Sequence, residues 1–253
     1  MDDKRETNDG FILEGTISIN ALWNYIIYKM VLLTQNSDLR KSGIYGWTLP
    51  AHWVTLSSGK KFNTCPNAGI CGAFCYAKSG TYQFSNVKKA HLEKLELVLF
   101  NRAKWLNLMN EEISKPKYIG KFIRIHDAGD FFSEQYAIDW LYLAKNNPKT
   151  IFYTYTKEVE LFKYKLRLSI PPNFIIIYSF GGRQDKMIDA EKDRHSDVFH
   201  DYDEMIAKGY NDIGEDDKQS AINPNHKVGL YRNNIKHFIK KMGDKNFSQW
   251  QKK

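Results

Sequence analysis

The sequence predicts an α/β protein whose parallel sheet is curved into a partial (β/α) barrel and flanked by helices. Three observations predict it. Short runs rich in β-branched and aromatic residues alternate with longer stretches whose apolar residues recur at three- and four-residue steps. Asn, Pro and Gly clusters separate these runs. The order strand, helix, strand repeats from residue 47 to residue 179, and right-handed crossovers of that kind build parallel sheets. The 253 residues, 42% hydrophobic and 26% charged, are enough to bury one full core.

The elements follow in order. Residues 1–29 read as an extension outside the core, polar from Met1 to Gly10 and apolar from Ala21 to Lys29. The α/β domain is expected over residues 30–235. Trp47 to Leu56, with Trp, Val and Thr, predicts the first strand, and Ser57 to Lys61 a turn. One long helix is expected from Asn86 to Ser114, where Leu95, Val98, Leu99, Leu106, Met109 and Ile113 share helical spacing and Pro116 ends the run. Phe122 to His126 reads as a strand. Ser133 then caps a helix whose inward face is Ala137, Trp140, Leu141 and Ala144. Ile151 to Thr156 is a strand, Glu158 to Leu168 a helix, and Phe174 to Ser179 the strand after Pro171 and Pro172. Residues 184–220, rich in Asp, Glu, Lys and His, predict helix and loop, and Lys227 to Tyr231 a last strand. Residues 236–253 form a basic tail in which lysines alternate with Phe238, Phe247 and Trp250. Such a tail suits phosphates and bases, and an amphipathic helix accounts for it equally well.

Lys and Arg outnumber Asp and Glu by 37 to 29, a formal charge of +8, which favours polyanionic partners such as nucleic acid while also fitting a solvated surface. No run of about 18 apolar residues suggests a membrane span, and the start lacks the features of a signal peptide. The three cysteines fall within eleven residues as C-x5-C-x3-C. An odd, tight set does not build a disulfide framework and points to metal binding or reactivity in a reducing compartment.

Cys65, Cys71 and Cys75 follow a predicted strand, on the side of a parallel α/β fold where sites are built. Thiolates are soft ligands, and Pro66, Gly69 and Gly72 let the chain curl around a metal. The expectation is an iron-sulfur cluster ahead of zinc. Zinc needs a fourth ligand, for which His52, His91 and His126 are candidates, whereas a [4Fe-4S] cluster on three cysteines keeps one iron open. Three inert buried thiols are the plainer alternative. Other polar residues gather at later strand ends: His126, Asp127, Gly129 and Asp130, then Thr154, Thr156 and Lys157, then Ser179, Gly181, Gly182 and Arg183. Taken singly, each reads as a turn or cap.

The motifs Cys65-Pro66, Cys71, Cys75-Tyr76-Ala77, Arg124 to Ser133, Tyr153 to Lys157 and Val228 to Tyr231 together resemble the bacteriophage "gene product 88" family, from about Met30 to Phe238. That pattern in turn resembles a divergent radical S-adenosylmethionine (SAM) enzyme. The usual spacing there is C-x3-C-x2-C, and Asp127 to Asp130 only loosely echoes its glycine-rich SAM segment. The resemblance implies a [4Fe-4S] cluster on the three cysteines, with Phe74 before the last of them, and SAM as the second cofactor. Tyr76, Asp127, Gly129, Asp130, Thr154, Thr156 and Ser179 are the candidate ligand-binding residues. It also implies the cytoplasm of a phage-infected or prophage-carrying bacterial cell. Three functions follow as expectations: a radical-SAM-like enzyme acting on nucleic acid or a nucleotide, a metal-stabilised nucleic-acid-binding protein without catalysis, and a phage structural or host-interaction protein.

Overall fold

Seven strands run parallel in one sheet, a half-barrel flanked by helices, in a computed structural model that describes residues 30–214, 216–232 and 235–250. The predicted extension over residues 1–29 lies outside the described residues. The strands are β1 (Ile44–Trp47), β4 (Phe122–Ile125), β5 (Ile151–Thr156), β6 (Phe174–Ser179), β7 (His195–Phe199), β8 (Asn211–Asp212) and β9 (Lys227–Tyr231). Their spatial order is β1-β4-β5-β6-β7-β9-β8, and all six pairings are parallel. A separate antiparallel hairpin joins β2 (Trp53–Thr55) to β3 (Lys61–Asn63).

Four predicted strands stand nearly where the sequence put them, because β-branched and aromatic residues there fill both faces of a buried sheet. The predicted first strand does not. Trp47 closes β1, Pro50 interrupts the run, and Trp53 opens β2 in the hairpin, so Trp47 to Leu56 spans two strands in two sheets. The turn after it is present, closed by Leu56 N–H on Lys60 O and Gly59 N–H on Leu56 O.

The helices are α1 (Ser37–Lys41), α2 (Gly69–Phe74), α3 (Ser85–Phe100), α4 (Arg102–Ile113), α5 (Glu134–Asn146), α6 (Tyr202–Ala207), α7 (Gln219–Ile222), α8 (Lys236–Met242) and α9 (Phe247–Trp250). The single helix expected from Asn86 to Ser114 is therefore two. Asn101 breaks it at φ −139° and ψ 46°, and Arg102 starts α4 by pairing with buried Asp139 at 2.5 Å. Ser133 caps α5 by accepting from Tyr136 N–H, and Ala137, Trp140, Leu141 and Ala144 are buried. The helix expected from Glu158 to Leu168 is a π turn over Leu161–Lys165 followed by a 3-10 turn.

Two apolar layers hold the sheet. One face carries Ile44, Tyr153, Ile177 and Val228 under Leu39 and Ala221 from α1 and α7. On the helical side, Trp47, Trp105 and Trp140 are fully buried with ring centroids 5.7–6.0 Å apart, and Trp47 Nε1 donates to Tyr136 Oη at 2.8 Å. The residues read as a basic tail also pack: Phe238, Met242 and Phe247 are buried, with Phe74 among them. Asp197 of β7 anchors that segment, accepting from Ser248 N–H and from its hydroxyl. Among the described residues no helix is long and apolar enough to cross a membrane.

Two stability measurements probe these layers. Trp105→Ala should cost about 3–5 kcal/mol by emptying the tryptophan cluster, read as a lower urea midpoint. Burial raises the Asp197 carboxyl from 3.8 to about 6, so its contribution is full below about pH 4 and is lost as pH rises through about 6. Asp197→Asn keeps the acceptor for Val198 and Ser248 N–H. The variant should gain on the order of 2–3 kcal/mol over the parent at pH 8 and almost nothing at pH 4; an equal difference at both pH values would contradict the assignment.

Candidate functional site

A cavity of about 310 Å³ opens at the carboxyl ends of the strands. Its wall draws on the cysteine segment, on Arg124 of β4 and His126 to Asp130 after it, on Lys157 after β5, on Ser179 at the end of β6, and on Phe238 and Phe247 from α8 and α9. This is the side on which parallel α/β folds build sites, because loops leaving the strand ends converge there.

Cys65, Cys71 and Cys75 all line the cavity and none is paired in a disulfide. Their segment is less of a loop than its glycines suggest, since Cys71 lies inside α2 and Cys75 caps it. The surrounding chain fixes it. Cys65 N–H donates to Asn63 Oδ1, Cys71 N–H to Gly181 O, and Thr64 O accepts from Asp130 N–H. Gly72 has no room for a Cβ, which would stand 2.7 Å from the His52 ring. Burial pushes the Cys65 thiol well up, with Asp130 and the other two cysteines adding to it. Burial and Cys71 raise Cys75, while nearby Lys78 opposes the rise. Cys65 and Cys75 therefore resist ionising, and a cationic centre beside them would favour their thiolates.

They do not meet at a point. Among the described residues no group of three His, Cys, Asp or Glu converges to hold a metal ion. His52 lies against Gly72, His126 is in the cavity wall, and His91 lines a neighbouring groove. None of them completes such a group with the cysteines.

Asp127 is heavily engaged. Its carboxylate pairs with Arg124 at 3.2 Å and accepts from Tyr82, while its carbonyl accepts from Tyr76. Arg124 reaches a second carboxylate, Asp217, at 3.0 Å, and its guanidinium lies 5.2 Å over the Tyr155 ring. Tyr153 and Tyr155 donate to Asp217 at 2.5 and 3.1 Å. Tyr76 thus serves mainly to hold the Asp127 turn.

Asp130 also does structural work at the cavity edge. It accepts from Phe131 N–H, Thr156 Oγ1 and Lys157 N–H, tying the end of β5 to the turn after β4. Gly129 lines the cavity at φ 88°, its Hα side closed by Leu49 at 2.8 Å from any added Cβ. Thr154 and Thr156 are buried and do not line the cavity; their hydroxyls donate to Ile125 O and Asp130. Ser179 does line it, accepting from Lys157 Nζ at 3.0 Å. Phe74 lines it too, but its ring is engaged with Phe238, Phe247 and Trp250. Asp217 joins the wall without having been singled out, because no local motif marks it; Tyr155 and Tyr231 join it from motifs quoted above without having been named as ligand contacts.

A family model described as Gene product 88 matches residues 30–251. The chain is 32% identical over 115 residues to the "Gene 88 protein" of Mycobacterium phage L5, covering 42% of this chain and 48% of that protein. It therefore spans about half the length of that curated relative. No solved structure matches. With the family match running from the first described residue through the cysteine segment to α9, the chain belongs to the bacteriophage Gene product 88 family.

Proposed function

We propose that the cavity holds a [4Fe-4S] cluster on Cys65, Cys71 and Cys75, and that the protein is a radical-SAM-like enzyme acting on nucleic acid or a nucleotide. One observation carries the reading: three thiols of a single eleven-residue segment open on one cavity at the carboxyl ends of a parallel sheet. A zinc ion would draw its thiolates to within about 4 Å of one another, and no such convergence exists among the described residues. A polynuclear cluster spans more space, and the radical-SAM resemblance implies one held on three cysteines with its fourth iron left to a small molecule. When bound, it supplies an electron and an open iron for the amino and carboxylate groups of SAM.

The chain's own residues would then orient and shield. Phe74, Phe238 and Phe247 close the apolar side of the cavity and exclude water. Ser179 keeps a hydroxyl hydrogen to donate, since its oxygen already accepts from Lys157. A ligand ammonium would share Asp127 with Arg124 and Tyr82. The nucleic-acid part rests on a neighbouring groove of about 520 Å³, which shares Ala51 and Ala77 with the first cavity. Lys78, Lys88, Lys89 and His91 line it, no carboxylate does, and Trp53 at its edge is 60% exposed. Cations beside an open indole suit a phosphate backbone with stacked bases. Membership of a phage family supports a site of action in the cytoplasm of an infected or prophage-carrying bacterial cell.

Anaerobic reconstitution tests the reading. Wild-type protein should take up about four irons and as much sulfide, each Cys→Ser variant should lose the cluster, and reduction in the presence of SAM should release 5′-deoxyadenosine. Uptake should weaken as pH is lowered from 8.5 to 6.5, because the buried thiols must lose protons to bind. Iron-free wild type, or three variants with unchanged iron, would overturn the cluster; iron without SAM cleavage would leave a metal-stabilised nucleic-acid-binding module.

A further inference from the structure

His126 follows β4 directly at φ 65°, is 3% exposed, and lines the cavity. Its Nε2 lies 3.0 Å from Tyr136 Oη, and its Nδ1 is buried with no partner among the described residues. Counting protons assigns the tautomer. Tyr136 Oη already accepts from Trp47 Nε1 at 2.8 Å, and its own hydrogen has no acceptor other than His126 Nε2 among the hydrogen bonds of the described residues. If Nε2 carried the proton, the tyrosine hydrogen would be stranded in the core. With Tyr136 donating, Nε2 accepts and the ring proton must sit on Nδ1. Burial holds the ring neutral by pushing it down to about 3.

A second donor lies two residues away. Arg124 spends Nη1 on Asp217 and Nη2 on Asp127, which leaves its Nε–H buried and unmatched in the same cavity wall. Two residues of the wall thus carry buried N–H groups without acceptors among the described residues, and a buried donor left unmade is costly. The guanidinium pairs with two carboxylates, whose surplus charge three tyrosine hydroxyls offset by donating, and none of these groups accepts from Nε.

We propose that His126 Nδ1–H and Arg124 Nε–H form the recognition point of this cavity for an anionic oxygen group, a carboxylate or a phosphate, on the small molecule that binds there. Tyr136 acts as a positioning residue, fixing the imidazole tautomer from behind the wall. The inference concerns the same cavity as the proposed function but needs neither a cluster nor SAM, so it is tested on metal-free protein.

Calorimetric titration with S-adenosylhomocysteine, AMP and adenosine separates the sources: the first carries a carboxylate, the second a phosphate, the third neither. One of the two anionic ligands should bind at least about tenfold more tightly than adenosine, as a charged hydrogen bond warrants. His126→Asn, chosen because Asn tolerates positive φ, should erase that advantage and leave adenosine unaffected. Long-range ¹H–¹⁵N spectra of histidine-labelled protein give a readout independent of affinity. His126 should appear as the Nδ1–H tautomer, shift on adding the preferred ligand, and become a mixture in Tyr136→Phe. Equal binding of all three ligands, or an Nε2–H tautomer in the parent protein, would overturn the proposal. A cluster that forms normally in His126→Asn would leave the proposed function standing even if this inference failed.

Discussion

A guanidinium set into the face of a parallel sheet has to be neutralised where it stands, and Arg124 imposes that condition on the whole molecule. Its side chain is only 19% exposed. Asp127 comes from the turn after its own strand, and Asp217 from the segment before α7. Two carboxylates around one cation leave surplus negative charge, which Tyr82, Tyr153 and Tyr155 offset by donating O–H groups. Removing one partner from such a cluster leaves a buried charge uncompensated, so the parts are interdependent. Through Tyr82 the network reaches the cysteine segment, and through Asp217 it reaches the far side of the sheet. The shape of the cavity wall follows from that geometry.

The fold was legible where side-chain pattern and burial agree. Phe122 to His126, Ile151 to Thr156, Phe174 to Ser179 and Lys227 to Tyr231 carry their own apolar signal, and the structure ends each within a residue of the reading. β7 was hidden because it begins His195, Ser196, Asp197, a sequence that reads as loop although all three are buried. Two of them draw on distant partners, His195 on Tyr210 Oη and Asp197 on Ser248, while the Ser196 hydroxyl is buried with no partner among the described residues. Burial of polar groups through long-range partners leaves no local periodicity to read. The break at Asn101 was hidden for the opposite reason, since helical spacing resumes in phase on its far side.

At the site, sequence proximity brought the three cysteines together and strand-end position brought Asp127, Gly129, Asp130 and Ser179 to the same cavity. Chain order does not show which hydroxyls the sheet itself consumes. Thr154 and Thr156 read as ligand contacts, but each spends its hydroxyl inside the protein. The alternation of a strand places every second residue toward the helices, and a threonine there closes a hydrogen bond before it meets a ligand. His126 escapes that alternation because its positive φ turns the chain at the end of β4.

Strain at His126 and the position of α9 are two halves of one arrangement. Positive φ in a histidine costs on the order of 1–3 kcal/mol and persists only where surroundings over-determine it. Here Trp47 O accepts from His126 N–H at 2.8 Å, Tyr136 holds the ring, and Phe131 packs edge-on at 4.7 Å. Across the cavity, Phe247 of α9 closes on Gly181 so tightly that a Cβ there would stand 2.7 Å from its ring. Gly181 O in turn accepts from Cys71 N–H. The residues that read as a tail therefore press, through one glycine, on the helix that carries the middle cysteine. The polar wall is held by the core behind it, and the thiol wall by the C-terminal segment in front of it. A ligand bridging the two walls would be gripped by elements from opposite ends of the described chain, which is how an open sheet can still present one preorganised cavity.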